Sequence, residues 1–175
     1  MERIGLHQMF MNIAFEVSKR STCARVNVGA LIVKDDRIVS MGWNGSPSGK
    51  EHCSDYFHER FQQEKSSLTF SAWKETDDFK NEHHQFAVEN EVHAEMNSLI
   101  FSAKNGISIN GADVYVTWSP CIDCSKALLQ AGIKNVYYFY KYDREPVGVR
   151  FLEENGIKCW RVDEKGNISR TEEAS

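Results

Sequence analysis

The sequence has no long apolar run: no stretch approaches the ~20 consecutive apolar residues that a membrane-spanning helix requires. Residues 1–17 do not resemble a secretory signal, because they are amphipathic and carry Glu2 and Glu16. A long run of lysine or arginine is also missing, and the formal net charge is -4, which argues against an extended nucleic-acid surface. These absences predict a soluble intracellular protein that has no membrane partner and forms no stable complex with nucleic acid.

Cysteine is also scarce. The chain has five cysteines, an odd number, and no recognisable export signal. Both features indicate reduced thiols in a cytoplasm rather than a disulfide framework. With 175 residues, 41% of them hydrophobic and 26% charged, the composition is that of an ordinary globular protein. We therefore expect residues 1–175 to form a single domain.

The first half of the chain predicts a helix, a β-hairpin and a polar insertion. Apolar residues recur at helical spacing over residues 4–19, and "VNVGALIV" and "RIVSMGW" are typical of two strands that turn at "KDD". Residues 54–90 are mostly polar, and a structureless loop of that length is uncommon in a compact domain. Scattered aromatics there predict short helices on the surface or at a subunit contact, without a core of their own.

The second half alternates helices with strands. The pattern predicts, in order, a helix at 93–104, a strand at 112–117, a helix at 121–131, a strand at 135–140, a helix that Pro146 opens and that ends near Asn155, a strand at 157–162 and a frayed tail. Strand–helix–strand units of this length imply parallel pairing, with helices on both faces of the sheet.

A histidine and a glutamate stand at the start of an otherwise apolar helix in "NEVHAEMNSLIF", residues 90–101. An ideal helix sets residues i and i+2 roughly 200° apart, so His93 and Glu95 do not share one flank. Both can still reach a point over the N-terminal end of the helix. A His-x-Glu by itself is usually no metal site.

Two cysteines stand at the start of the next predicted helix, in "TWSPCIDC", residues 117–124. Ser119 is a good N-cap and Pro120 suits the first turn, which places Cys121 and Cys124 at i and i+3 on one face. The helix dipole there favours the thiolates that bind metals. A lone Cys-x-x-Cys is also typical of a redox dithiol or of half a structural zinc cluster.

Together the two segments match the zinc-deaminase signature H-x-E…P-C-x-x-C. If the two helix starts face each other, His93, Cys121 and Cys124 supply three ligands to zinc, and the fourth position is left to water, as in a catalytic site. Glu95 is then the unliganded carboxylate that moves a proton from water to a substrate nitrogen.

On these motifs the chain resembles the cytidine deaminase superfamily, and within it the phage-type deoxycytidylate (dCMP) deaminases. The resemblance spans "VGALIV", "GWNGSPSG", "VHAEMNSL", "GADVYVTWSPCIDCSKALLQAGIKNV" and "YKYD". It implies an α/β fold, a three-layer α/β/α sandwich around a mixed five-stranded sheet. It also implies zinc-dependent hydrolysis of dCMP to dUMP and ammonia, which supplies dUMP for thymidylate synthesis.

A nucleotide substrate requires cationic or hydroxyl groups near the pocket, for which Arg25, Lys141 and Tyr142 are candidates. Composition alone favours a surface aromatic at Tyr142. The resemblance reverses that interpretation, because "YKYD" matches a substrate-contacting position of phage-type dCMP deaminases. Asn44 is a further candidate for bonding a base or sugar.

The segment "GWNG" comprises Gly42, Trp43, Asn44 and Gly45. A glycine-rich strand exit with an Asn-Gly turn explains it without any ligand, although its backbone N–H groups could also hold phosphates. The resemblance implies an allosteric nucleotide site, activated by dCTP and inhibited by dTTP, with Mg2+ accompanying the triphosphate. Trp43 stands where the family usually has Tyr, which leaves the effector response open.

The remaining cysteines and histidines raise the question of a second metal site. Spacing alone indicates it weakly, because successive ligands lie about 30 residues apart and buried free cysteines are common. The resemblance implies a structural zinc bound by the residues matching Cys23, Cys53, His83 and Glu91, with His84 competing for the role of His83. Cys159 is predicted to be only a buried thiol.

Two alternatives stay open from the sequence. One is a deaminase that acts on a nucleoside or on nucleic acid, and binding to nucleic acid would weaken steeply with salt. The other is a non-catalytic, zinc-stabilised nucleotide-binding module. The resemblance further implies a homohexamer and, for a phage enzyme, a location in the host cytoplasm.

Overall fold

The computed structural model describes residues 3–64, 67–142 and 147–170. The helices and strands follow one another as α1 (Leu6–Ser18), β1 (Gly29–Lys34), β2 (Arg37–Trp43), α2 (Cys53–Glu64), α3 (Phe70–Trp73), α4 (Asp77–Asn90), α5 (Ala94–Lys104), β3 (Asp113–Trp118), α6 (Ile122–Gln130), β4 (Asn135–Tyr140), α7 (Val147–Glu154), β5 (Lys158–Val162) and β6 (Ile168–Arg170). The predicted start of α7 at Pro146 lies outside the described residues.

The strands form one mixed sheet in the order β2-β1-β3-β4-β5-β6. β1 pairs antiparallel with both β2 and β3, whereas β3, β4 and β5 are parallel to one another. The parallel part follows from the helical crossovers α6 and α7, which carry the chain back to the same edge before each new strand. The predicted mixed α/β sheet is therefore confirmed.

Helices cover both faces of the sheet, as a three-layer sandwich requires. Alternate residues of β1 divide between two cores, with Ala30 and Ile32 on one face and Leu31 and Val33 on the other. The first core also contains residues of α5, α6 and α7, and the second contains the apolar side of α1. Burial on both faces explains why this central strand is a continuous apolar run without polar alternation.

The sheet has six strands, not the predicted five. β6 lies within the segment predicted to be a frayed tail, and it pairs antiparallel with β5. Asp163 makes this return possible: its Oδ1 accepts the backbone N–H groups of Lys165 at 2.9 Å and Asn167 at 2.8 Å. The segment is therefore polar because it contains a tight turn, which the aspartate side chain stabilises by accepting hydrogen bonds from the backbone.

The polar insertion at 54–90 contains the short helices that its aromatics predicted, α2, α3 and α4. Contrary to expectation, it has a small core of its own, in which Phe57, Trp73 and Phe79 are buried together. Cys23 and Cys53 complete this aromatic core. Neither periodicity nor average hydropathy indicated it, because the aromatics come from three separate helices.

Among the described residues, none of the helices combines the length and the apolar character needed to cross a membrane.

Gly42 allows β2 and α5 to approach closely. A Cβ atom at this position would lie 2.3 Å from the carbonyl oxygen of Ala94 and 2.6 Å from the backbone nitrogen of Ser98. We expect Gly42→Ala to lower the free energy of unfolding by about 1–3 kcal/mol, because the α5 backbone has to shift. Denaturant unfolding measures this change. Gly5→Ala is the control, because nothing lies within 4 Å of the added Cβ; equal losses in the two variants would contradict the packing argument.

Candidate metal-dependent active site

The first functional element is the N-terminus of α5. His93 is its N-cap residue, with an extended backbone (φ -68°, ψ 154°) and no hydrogen bond from its side chain to the helix. Glu95 lies in the first turn and is only 4% exposed. The imidazole is therefore free to point beyond the helix end, while the carboxylate is held beneath it.

The second element is the N-terminus of α6. Cys121 is the N-cap residue and Cys124 lies in the first turn, so the helix begins two residues later than Ser119 and Pro120 predicted. Ser119 instead makes a long-range contact, in which its Oγ accepts the backbone N–H of Tyr142 at 2.8 Å. This hydrogen bond joins the segments after β3 and β4, and local capping preferences could not indicate it.

These two helix starts bring His93, Cys121 and Cys124 together. His93 Nδ1 lies 3.5 Å from Cys121 Sγ and 3.4 Å from Cys124 Sγ. All three ligand atoms lie within 4.8 Å of one another. Tetrahedral zinc with Zn–S of about 2.3 Å and Zn–N of about 2.0–2.1 Å places S and N about 3.6 Å apart. The spacing of the side chains therefore fits a zinc ion with three protein ligands.

Hydrogen bonds within the trio shift the pKa values of its three side chains. Hydrogen bonding to Cys124 and to His93 lowers the pKa of Cys121 to about 4, against the opposing effect of burial. Hydrogen bonding to Cys121 raises the pKa of His93 to about 9. Hydrogen bonding to Cys121 likewise raises the pKa of Cys124. The trio thus contains a thiolate at neutral pH, the form of cysteine that binds metals.

Glu95 is next to the trio but is not one of its ligands. Burial raises the pKa of its carboxyl, and the charge of His93 opposes that rise. Because its pKa is raised, the Glu95 carboxyl holds a proton more readily than a free carboxyl group does, which suits a general acid and base. The position and the burial suit the proton-transfer role that the His-x-Glu motif predicted.

A second group of metal-ligand types lies at the base of the insertion. Ligand atoms of Cys23, Cys53, His83 and Glu91 lie within 4.8 Å of one another, and Cys23 Sγ is 3.2 Å from His83 Nε2. His83 is buried whereas its neighbour His84 is exposed, so the structure selects His83.

The chemistry of this second group also fits a bound cation. Glu91 Oε1 is buried and has no hydrogen-bond partner among the residues that the structure describes. Burial, together with the charge of Cys23, raises the pKa of Glu91 to about 7. Hydrogen bonding to Cys53 lowers the pKa of Cys23 to about 3. A buried carboxylate oxygen that has no partner and lies beside a thiolate is costly without a cation, and a metal would remove that cost.

The "GWNG" residues at the end of β2 do not share one surface. Gly42 faces α5, whereas the ring of Trp43 packs with the α1 core and lies 5.8 Å from the Arg20 guanidinium. The Asn44 side chain is engaged internally: its Oδ1 accepts the N–H of Val28 at 2.8 Å and its Nδ2 donates to the carbonyl of Val26 at 2.9 Å. Nucleotide binding by these residues, and by Gly45, remains a prediction.

The other predicted substrate residues differ in their relation to the trio. Tyr142 is half-buried and is held through its backbone by Ser119, which lies two residues before Cys121 in the chain. Arg25 is half-buried and its backbone N–H donates to Cys23 Sγ at 3.5 Å, which places it beside the second metal group. Lys141 is exposed. Their contacts with a substrate also remain predictions.

Sequence reasoning missed two residues that hold the surroundings of His93. Asn97 Nδ2 donates to the Trp43 carbonyl at 2.6 Å and so ties β2 to the first turn of α5. Thr22 contacts residues 44–46 through both its backbone and its hydroxyl. Asn97 lies within "VHAEMNSL", but nothing in that motif indicates a contact with β2. Thr22 belongs to no motif, and its position next to Cys23 is the only sequence feature that points to it.

Comparison with known proteins agrees with this geometry. Residues 5–140 match the family described as "Cytidine and deoxycytidylate deaminase zinc-binding region". The chain is 39% identical over 171 residues to deoxycytidylate deaminase of Enterobacteria phage T4, covering 89% of each chain. It is 36% identical to ComE operon protein 2 of Bacillus subtilis, over 93% of this chain and 74% of that protein.

A solved structure is also similar. The dCMP deaminase from the cyanophage S-TIM5, crystallised in complex with dCMP and dUMP, superposes with a TM-score of 0.66 and 32% identity, over 91% of this chain and 98% of that chain. The family match covers both helix starts that carry the trio and Glu95, and the predicted resemblance to phage-type enzymes is confirmed. The chain therefore belongs to the cytidine and deoxycytidylate deaminase family.

Proposed function

We propose that this protein catalyses the hydrolytic deamination of dCMP to dUMP and ammonia, with zinc held by His93, Cys121 and Cys124. The observation that carries the proposal is the trio beside a buried carboxyl group, Glu95, that takes no part in ligation. Support for dCMP as the substrate comes from the T4 relative and from the S-TIM5 enzyme, whose structure holds dCMP and dUMP.

In this mechanism different residues bind the metal and transfer the proton. Bound zinc would act as a Lewis acid that lowers the pKa of a water molecule for attack on C4 of cytosine. Glu95 takes a proton from the attacking water and delivers it to the ring nitrogen N3 of cytosine. It then transfers the remaining proton of the new C4 hydroxyl to the exocyclic amine, so that the C4–N4 bond breaks, ammonia leaves and the C4 carbonyl of dUMP forms.

Burial supports that assignment of Glu95. The carboxyl lies beneath the trio rather than in bulk water, so the proton it holds goes to the substrate instead of exchanging with solvent. His93 is exposed, Cys121 is half-buried and Cys124 is buried, so the site is reached from the His93 side. Substrate contacts by Tyr142, Asn44 and Arg25 are part of this proposal.

A second, structural zinc at Cys23, Cys53, His83 and Glu91 is also proposed. Support comes from the convergence of four ligand atoms and from the unpartnered, buried Oε1 of Glu91. Four protein ligands leave no open position, which is the arrangement of structural rather than catalytic zinc. The ion would join α2 and α4 of the insertion to the segment that follows α1.

Regulation and assembly are also part of the proposal. Activation by dCTP and inhibition by dTTP, with Mg2+ on the triphosphate, rest on the resemblance of Gly42, Trp43, Asn44 and Gly45 to the effector segment of the family. A homohexamer rests on the resemblance to the family. A subunit contact is supported by an open apolar groove between α5 and α6, where Ile100 and its neighbour Phe101 are about half exposed. Supply of dUMP for thymidylate synthesis in the cytoplasm follows from the proposed reaction.

The test is ammonia release by the purified, zinc-loaded protein with dCMP, deoxycytidine, dCTP and a cytosine-containing oligonucleotide, each with and without dCTP or dTTP as effector. We expect turnover of dCMP that dCTP raises and dTTP lowers. Turnover of another compound alone would overturn dCMP as the substrate. An absence of turnover at full zinc content would favour the non-catalytic nucleotide-binding module.

A further inference from the structure

We propose that Thr22 is a positioning residue for the deaminase site. It braces residues 44–46 against the segment 91–93, which ends in the metal-ligand residue His93. The catalytic part of this inference rests on the proposed function, because it presupposes that the His93 site deaminates dCMP. The brace itself is a matter of geometry and can be tested separately.

Thr22 joins the loop after β2 to the start of α2. Its Oγ1 accepts the backbone N–H of Ser46 at 3.3 Å, and its own N–H donates to the Asn44 carbonyl at 3.3 Å. Its carbonyl accepts the N–H of Ser54, in the first turn of α2, at 2.9 Å. One half-buried threonine thus holds two segments that both lie far from it in the sequence.

The loop in turn holds the segment that leads into α5. Gly45 and Val92 form an isolated antiparallel bridge, with N–H to carbonyl distances of 3.1 Å and 2.9 Å in the two directions. His93 follows Val92 directly. A displacement of Gly45 therefore moves the backbone that sets the position of the His93 imidazole.

The neighbouring side chains do not replace the Thr22 hydroxyl. Ser46 Oγ is buried and has no hydrogen-bond partner within the described ranges, so this side chain does not anchor the loop. A Cβ at Gly45, where φ is +149°, would lie 2.1 Å from Thr22 Oγ1. The hydroxyl therefore occupies the space directly against the Gly45 backbone, and glycine is required for that contact.

The brace lies between the two metal-ligand groups. Thr22 precedes Cys23, and Ser54 follows Cys53, so both of its chain attachments adjoin ligands of the second group. At the far end, Glu91 of the second group and His93 of the trio flank Val92. Thr22 therefore lies at the point where the insertion is connected, through the loop after β2, to the backbone that precedes His93.

The experiment compares Thr22→Val, which keeps the shape but removes the acceptor, with Thr22→Ser, which keeps the hydroxyl. In the zinc-loaded protein we expect Thr22→Val to lower kcat for dCMP about tenfold and to change KM less than about threefold, because a displaced His93 alters the zinc site and not a substrate contact. A tenfold change is the size expected for one lost, partly buried hydrogen bond. Amide hydrogen exchange at Gly45, Ser46 and Val92 should become faster in the same variant. Thr22→Ser should restore both properties.

Thr76→Val is the matched control. The Thr76 hydroxyl caps α4 by accepting the N–H of Phe79 at 3.3 Å, and it donates to the Trp73 carbonyl at 2.7 Å. Its loss therefore removes at least as much hydrogen bonding at a different place. The inference is overturned if Thr22→Val leaves kcat and the exchange rates unchanged, if Thr22→Ser is equally impaired, or if Thr76→Val gives the same changes. If the wild-type protein does not turn over dCMP, the proposed function fails, and the exchange rates alone decide whether Thr22 is a brace.

Discussion

Replacing Glu95 by glutamine is expected to lower kcat for dCMP by about 10³–10⁴-fold, the upper range for losing a general acid–base group. The amide preserves the size of the side chain but cannot carry the proton. Because Glu95 lies beside the trio without belonging to it, zinc content should stay unchanged. Steady-state kinetics together with metal analysis of the same sample measures both quantities.

The control for this variant is Glu59→Gln, which makes the same chemical change at an exposed position of α2. Its kcat should equal that of the wild type. The proton-transfer role would be refuted by an E95Q variant that retains more than about a tenth of the wild-type kcat. A loss of zinc in E95Q would instead show that the carboxylate takes part in holding the metal.

Replacing Cys53 by alanine is expected to remove the proposed second zinc and to lower the melting temperature by about 10 °C, because a buried structural zinc contributes directly to folding. Cys53 is fully buried against Phe57 and Phe79, and it belongs to the four-residue ligand group. The insertion would lose the ligand that α2 contributes. Zinc content per chain and thermal unfolding are the two measurements.

Cys159→Ala separates metal loss from cavity formation. Cys159 is 1% exposed on β5 and lies in the main core, away from both ligand groups. Its truncation leaves a similar cavity, which should lower the free energy of unfolding by about 1 kcal/mol and the melting temperature by less than a few degrees. The zinc content should not change. Equal zinc content in the two variants would contradict a metal at Cys53.

Together these variants would distinguish what the two ligand groups do. The trio and Glu95 lie at the starts of α5 and α6, where the N-termini of these two helices meet over the sheet. The second group instead closes the small aromatic core of the insertion, in which Phe57, Trp73 and Phe79 pack. Loss of the first group should abolish chemistry, whereas loss of the second should mainly reduce stability.

The sequence by itself determined which residues form the candidate catalytic site. His93, Glu95, Cys121 and Cys124 stand at helix starts, and capping and helix periodicity are local properties that residue order encodes directly. The mixed α/β sheet was predictable for the same reason, since alternating strands and helices leave few arrangements. The error at Ser119 was a shift of the α6 boundary and did not separate the two cysteines.

Tertiary structure decided which distant groups meet. It selected His83 over His84, formed β6 from a polar tail and engaged the Asn44 side chain with Val26 and Val28. It also placed Thr22 against Gly45. These outcomes depend on packing between segments far apart in the chain, and no local pattern of hydrophobicity or capping records which segments those will be.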